Sequence, residues 1–221
     1  GVTNIVRGAD HVTNTATQIQ IIRALGANPP AFAHHSLLTG AQGEELSKRL
    51  GTLSIRDLRE SGVAPEALLS LMARLGSSQP IEMRMTLDEL ADGFALDQFG
   101  ASPTKFDAED LWPLTREANQ ARPFEVVRDR IKALGVPDAL AERFWRVASQ
   151  NIIKLDDLGG WWEIFSKGAT PQIDPEDAEF IAEAMTLLPP PPYTDTSWAE
   201  FTSAVKEATG RKGKGLFMPL R

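Results

Sequence analysis

Apolar and polar positions follow two regimes along this chain. Asn4-Ile5-Val6-Arg7-Gly8 is a short apolar run that breaks at Gly8, the pattern of a buried strand entering a loop. A helical spacing follows, with Ile19, Ile22 and Leu25 on one face, Asn14 or Thr15 placed to cap it and Gly26 to stop it. Ala31-Phe32-Ala33-His34-His35, continued by Leu37-Leu38, reads as a second strand. Strand, helix and strand in this order suit a parallel β-α-β unit. Such a unit cannot cover both faces of a sheet alone, so the chain reads as cut at its N-terminal side, with earlier strands upstream.

From about residue 55 the period becomes 3.6 and stays there. Pro65-Glu66-Ala67-Leu68-Leu69 opens a helix carrying Leu68, Leu71, Met72 and Leu75, and Gly76 is placed to end it. Thr86-Leu87-Asp88-Glu89 has capping-box spacing, and Asp107 can cap a further helix. Later helices are expected over 124–134, 137–149 and 156–165, then from the cap Asp174-Pro175 to a point before Pro189-Pro190-Pro191-Pro192, a stiff extended connector. Ser197 to Glu200 repeats the capping-box spacing, and the last helix closes at Gly210. The fold class is therefore mainly α with a small α/β part. Trp112, Trp145, Trp161, Trp162 and Trp198 fall on helical apolar faces and read as core more than as platforms for bases.

Composition narrows the class without naming a chemistry. Hydrophobic residues at 42% and charged residues at 24% are ordinary for a globular protein and exclude a disordered or low-complexity chain. The absence of cysteine removes disulfides, a thiolate nucleophile and any Cys-based zinc site, and fits a reducing compartment. No apolar run approaches the ~20 residues that span a bilayer, and Gly1-Val2-Thr3-Asn4 lacks the features of a signal peptide, so a soluble cytoplasmic protein without a membrane partner is expected. A net charge of −7 repels nucleic acid overall, so any RNA contact must be a local basic patch. Lys206, Arg211, Lys212 and Lys214, with Arg221 nearby, form the densest such cluster. Flanking glycines would let it approach a phosphate backbone, and a solvated charged loop is the alternative. Three histidines without a spaced acidic cluster make a poor zinc site, and no protein-ligated metal is expected.

Ser47-Lys48-Arg49 follows a polar turn, Thr39-Gly40-Ala41-Gln42-Gly43. A lysine on a loop is suited to stabilising a polyphosphate, because its compact ammonium can follow the charge as phosphate geometry changes. Its setting gives the tripeptide weight. Arg7-Gly8-Ala9-Asp10-His11, then Asn14-Thr15, then Leu46-Ser47-Lys48-Arg49 resembles the second half of the catalytic domain of bacterial glutamyl-tRNA synthetases, a class I aminoacyl-tRNA synthetase family. The likeness continues through Pro65-Glu66-Ala67-Leu68-Leu69, Leu75-Gly76, Phe99-Gly100-Ala101-Ser102-Pro103, Lys105-Phe106-Asp107 and the end of the chain from Gly210.

The resemblance implies the C-terminal half of a Rossmann-like catalytic domain over residues 1–50, a stem-contact region over 51–114 and, over 115–221, the start of a helical anticodon-binding region. It implies part of a monomeric ligase that activates L-glutamate with ATP, carried with Mg2+, and transfers it to the 3′ end of tRNA. By position, Arg7 would hold a carboxylate of glutamate, for which a guanidinium fork is well shaped. Asn14 would lie near the amino acid, although an N-cap explains it as well. His11 would pack on the adenine side, Lys48 would hold the ATP phosphates, and Ser47 and Arg49 would shape the loop. Glu45 replaces the family's first loop lysine, so either Lys48 carries more of the work or Glu45 points away from the phosphates. The family's other ATP-binding loop, the H-I-G-H-like one, is missing from this sequence, so the chain by itself should be inactive. A glutaminyl-specific relative is disfavoured because no run of alternating strands is seen. The rival reading is a non-catalytic, synthetase-derived helical module that binds RNA or protein.

Overall fold

Strand β1 (Asn4–Gly8) and strand β2 (Ala31–His35) pair in parallel, from Asn4 opposite Ala31 to Gly8 opposite His35, with helix α1 (Val12–Ala24) as the crossover. This computed structural model describes residues 1–40, 42–43 and 54–220. The helix begins earlier than its expected caps. A 3-10 turn over Ala9–His11 runs straight into Val12, which places Asn14 and Thr15 inside the first turn. The Thr15 hydroxyl donates to the His11 carbonyl at 2.9 Å instead of capping a backbone N–H. Ile19 and Ile22 are half-buried, but Leu25 is exposed because it lies past the last helical residue. A Cβ added at Gly8 would meet the Asp10 carboxylate and lie 3.0 Å from Leu37 Cδ2, so a larger residue there would make the Asp10 side chain shift.

Leu37-Leu38 does not extend β2. Leu38–Thr39 forms a separate strand, β3, paired in parallel with β4 (Thr104–Lys105). Hydrogen bonds from Thr104 N to Leu37 O at 3.0 Å and from Phe106 N to Thr39 O at 2.8 Å tie the end of the β-α-β unit to a segment more than sixty residues later.

The helical part opens with α2 (Ile55–Ser61), closed at its N-terminus by a Ser54–Asp57 capping box. Helix α3 (Pro65–Met72) has proline in its first turn, and α4 (Leu87–Ala91) begins with the expected Thr86–Glu89 box. The Glu89 carboxylate accepts from the Met85 and Thr86 N–H groups at 2.9 and 3.1 Å, which hold its carboxyl below the usual range. Asp107 caps a 3-10 turn that leads into α5 (Leu111–Ala121). Then follow α6 (Phe124–Ala133), α7 (Asp138–Ala148), α8 (Leu158–Lys167), α9 (Ala178–Thr186), α10 (Ser197–Thr209) and α11 (Lys214–Phe217). Asp174 caps the turn before α9 as expected, with Pro175 next. The Ser197–Glu200 box does not form: the Ser197 hydroxyl accepts from Thr194 N at 2.9 Å, outside the helix.

Two compact units result, Gly1–Lys167 and Gly168–Arg221. The position 114/115, where the sequence suggested a boundary, falls inside α5, whose Leu114 and Ala118 belong to one core cluster with Ala67, Leu71 and Leu111. A second cluster gathers Val127, Ile131, Phe144, Trp145 and Leu158 from α6, α7 and α8. Polar groups knit the two together. Buried Asn119 donates to the Ile153 carbonyl at 2.8 Å, and Arg122 reaches the Asn119 side chain at 3.1 Å and Glu66 at 2.6 Å. Trp145 Nε1 donates to the Arg122 carbonyl at 3.2 Å. Among the tryptophans, Trp112, Trp145, Trp161 and Trp162 pack as core, whereas Trp198 is 49% exposed. Trp198 shares the face of α10 that Phe201, Thr202 and Val205 bury, with its ring 5.9 Å from that of Phe201, but it lies in the first turn, where the face is left uncovered.

Because the Arg122 and Glu66 side chains are only 13% and 22% exposed, removing one leaves the other short of its partner. Arg122→Met is expected to lower the unfolding free energy by about 2–4 kcal/mol in a urea titration. Arg128→Met, which opens an exposed pair at 3.9 Å, serves as the near-silent control.

Candidate functional site

Arg7 leaves β1 opposite His34 of β2, and both side chains meet at one hydroxyl. Arg7 Nη2 donates to Thr15 Oγ1 at 2.6 Å and to Gln18 Oε1 at 2.7 Å, while His34 Nε2 lies 2.8 Å from the same Thr15 oxygen. A hydroxyl has one proton, and that of Thr15 goes to the His11 carbonyl. With that bond made, its oxygen accepts from Arg7, and it accepts from His34 in the tautomer that carries its proton on Nε2. The Arg7 guanidinium also lies 5.3 Å from the centre of the Phe32 ring. Its Nε is buried with no hydrogen-bond partner among the described residues. A buried donor left unanswered costs about 1–3 kcal/mol, and more on a charged group.

Gln18, which orients Arg7, lines a shallow depression of about 400 Å³ with Thr13, Asn14 and Thr17. Asn14 and Gln18 are one helical turn apart, so the two residues expected at the amino acid, Arg7 and Asn14, come to neighbouring positions through Gln18. The Asn14 side chain accepts from Thr13 Oγ1 at 3.3 Å and is otherwise exposed. His11 stands at the end of the 3-10 turn, about half exposed, with Nε2 3.7 Å from Asp10 Oδ2. Ser47, Lys48 and Arg49, with Glu45, lie outside the described residues. A wider depression of about 650 Å³ over α7, between Phe124, Arg143, Arg146 and Gln150, contains none of the expected site residues.

The sequence offered Thr15 as a cap and as part of the Asn14-Thr15 motif, not as a partner of Arg7, and Gln18 and His34 carried no site role. Spacing held part of the signal, since residues three apart on a helix share a face and Arg7 sits beside the second strand of the unit. In the second unit, Lys206, Lys212 and Lys214 are exposed. Arg211 differs from them: its Nη1 donates to Asp177 Oδ1 at 2.6 Å and to the Gly215 carbonyl at 3.2 Å. Among the described residues, no group of three or more His, Asp or Glu is placed to hold a metal ion, and no helix is long and apolar enough to cross a membrane.

Comparison with known proteins identifies the family. The family described as tRNA synthetases class I (E and Q), catalytic domain, matches residues 1–113. Glutamate–tRNA ligase 1 of Paracoccus denitrificans is 87% identical over all 221 residues, and glutamate–tRNA ligase 2 of Cereibacter sphaeroides strain ATH 2.4.9 is 75% identical. The chain spans about half the length of these curated relatives, 50% of each. Among solved structures, a glutamate tRNA ligase from Elizabethkingia meningosepticum in complex with its amino acid superposes with a TM-score of 0.71 at 23% identity, over 100% of this chain and 50% of that one, a likeness of fold. With more than half of its residues matched by the catalytic-domain family, and with that match covering Arg7 and its partners, this chain belongs to the class I tRNA synthetases of the E and Q type.

Proposed function

We propose that this chain is part of a glutamate–tRNA ligase: the second half of its catalytic domain, a stem-contact region over 51–114 and the beginning of its anticodon-binding helices over 115–221, the last two regions sharing helix α5. In the longer protein, an oxygen of the glutamate α-carboxylate attacks the α-phosphate of ATP, giving glutamyl-adenylate and releasing pyrophosphate. A hydroxyl of the terminal adenosine of tRNA then takes the acyl group and AMP leaves. Mg2+ enters as part of the ATP complex. The observation that carries this reading is the Arg7 guanidinium, held by Thr15 and Gln18 and still carrying one buried donor without a partner. A carboxylate of glutamate is the anion that a guanidinium so held would pair with in the longer protein, and Asn14 stands one helical turn from Gln18, which orients it.

In this reading His11 packs on the adenine side, and Lys48 bears the phosphate charge in a loop shaped by Ser47 and Arg49. Exposed Lys206, Lys212 and Lys214 meet the tRNA backbone. Catalysis comes from positioning and from answering the charge on the phosphates. Glu45, an acid where the family has lysine, is the feature that favours the rival reading of a non-catalytic module. Pyrophosphate exchange separates the two. The longer protein is expected to exchange labelled pyrophosphate into ATP when glutamate is present, and the 221-residue chain alone is expected to show none. No exchange by the longer protein would leave the module reading.

A further inference from the structure

We propose that Arg211 is a positioning residue that anchors the loop over 210–215, so that Lys212 and Lys214 are presented to RNA phosphates, and that Asp177 favours RNA binding although it is an acid. The inference rests on the reading above that these lysines contact tRNA.

The loop is fixed at both ends and across its mouth. Gly210 closes α10 with φ of 69°, a left-handed conformation that suits glycine, and its N–H bonds the Lys206 carbonyl at 3.0 Å. At the other end Leu216, 1% exposed, is seated in the cluster formed by Phe180, Ala184, Phe201 and Val205. Between them the Arg211 side chain turns away from the loop's outer side. Its guanidinium lies 4.0 Å from the centre of the Phe180 ring, pairs with Asp177 and also donates to the Gly215 carbonyl, so one planar group bridges the loop to α9 and to its own far end. An acid, a ring face and a carbonyl already answer that charge. Lys212 and Lys214, by contrast, are exposed and form no ion pair among the described residues. A loop ordered before binding loses less freedom when a phosphate backbone arrives.

The rival assignment, Arg211 as a direct phosphate contact, predicts the opposite sign for its partner. Releasing the arginine from Asp177 would free a cation and remove an acid, and both changes would tighten binding to RNA. The test is filter binding of the full chain to an unmodified glutamate-accepting tRNA transcript across a potassium chloride series. Asp177→Asn and Arg211→Lys are each expected to weaken binding about three- to tenfold, the loss from one or two side chains no longer ordered in advance. The slope of affinity against salt should not change, because no phosphate contact is lost. Lysine keeps the charge but lacks the fork that reaches an acid, a carbonyl and a ring at once. Replacing Lys212 and Lys214 together by alanine should instead flatten the slope by roughly one unit per lysine. Amide exchange over 211–216 should quicken in Asp177→Asn without RNA present.

Tighter or unchanged binding by Asp177→Asn, or wild-type binding by Arg211→Lys, overturns the anchor. If the double lysine variant binds as the wild type does while exchange still quickens, the RNA interface itself fails and the proposal falls with it. In that case the cause is distinguishable from failure of the anchor.

Discussion

Replacing Lys48 by alanine in the longer protein is expected to slow glutamyl-adenylate formation by about a hundred- to a thousandfold, the cost of removing one preorganised donor to developing charge. The triphosphate is the most highly charged reactant of the adenylate-forming step, and the chain is itself acidic, with a net charge of −7. Glu45 removes one cation from the loop that the family would aim at those phosphates, so Lys48 has less help there than its counterparts in the family. Affinity for tRNA should change little, because Lys48 is assigned to ATP and the RNA contacts are assigned elsewhere. Pyrophosphate exchange with saturating glutamate reads the chemical step, and filter binding reads the tRNA. Wild-type exchange by Lys48→Ala would refute the role given to this lysine, whatever happened to RNA affinity.

What the sequence disclosed of this molecule was mostly what is local. The Thr86–Glu89 box and the Asp107 and Asp174 caps each depend on a few neighbouring residues, and each formed. Locality also misled. Ser197 and Glu200 have the spacing of a box, but a Ser hydroxyl has several backbone groups in reach and here accepts from Thr194 N. Asn14 and Thr15 are good capping types, yet the 3-10 turn at Ala9–His11 had already started the helix. The pair β3 and β4 has two residues on each strand, too few to carry a period, and joins positions more than sixty residues apart.

The site divides in the same way. Arg7 stood out because a motif places it, whereas its surroundings come from two further elements, Thr15 and Gln18 of α1 and His34 of β2, which only the crossover brings to β1. Arg211 is the complementary case. In sequence it is one more cation in a basic cluster, and its acid, ring and carbonyl partners lie at positions 177, 180 and 215. Charge could be counted along the chain, but which charges were already answered could not. Lys48, on which the expected chemistry leans most, lies outside the described residues, so its role rests on the resemblance and on the family match.

Arg7→Met is expected to raise the KM for glutamate by about thirty- to a thousandfold, the 2–4 kcal/mol typical of truncating one partner of a buried charged pair. The effect should fall mainly on KM. A carboxylate held away from the reacting oxygen is bound alike in the ground and transition states, and loss of such uniform binding leaves kcat nearly unchanged. A structural explanation must be separated from this one, since the substitution also removes the donors to Thr15 and Gln18. Gln18→Ala is the informative companion: it deletes one of those two hydrogen bonds while leaving the guanidinium and its buried Nε in place. If Arg7 binds substrate, Gln18→Ala should raise the glutamate KM far less than Arg7→Met does. The KM for ATP should stay near the wild-type value in both. If Arg7 only braces the β1–α1 corner, Arg7→Met should lower the thermal midpoint and reduce kcat for every substrate together, with no selective loss of glutamate. Arg7→Lys sharpens the choice, because an ammonium can keep some attraction to a carboxylate but cannot reproduce the fork that spans Thr15, Gln18 and a ligand at once. An intermediate glutamate KM in that variant, between wild type and Arg7→Met, is the result that assigns the arginine to the amino acid.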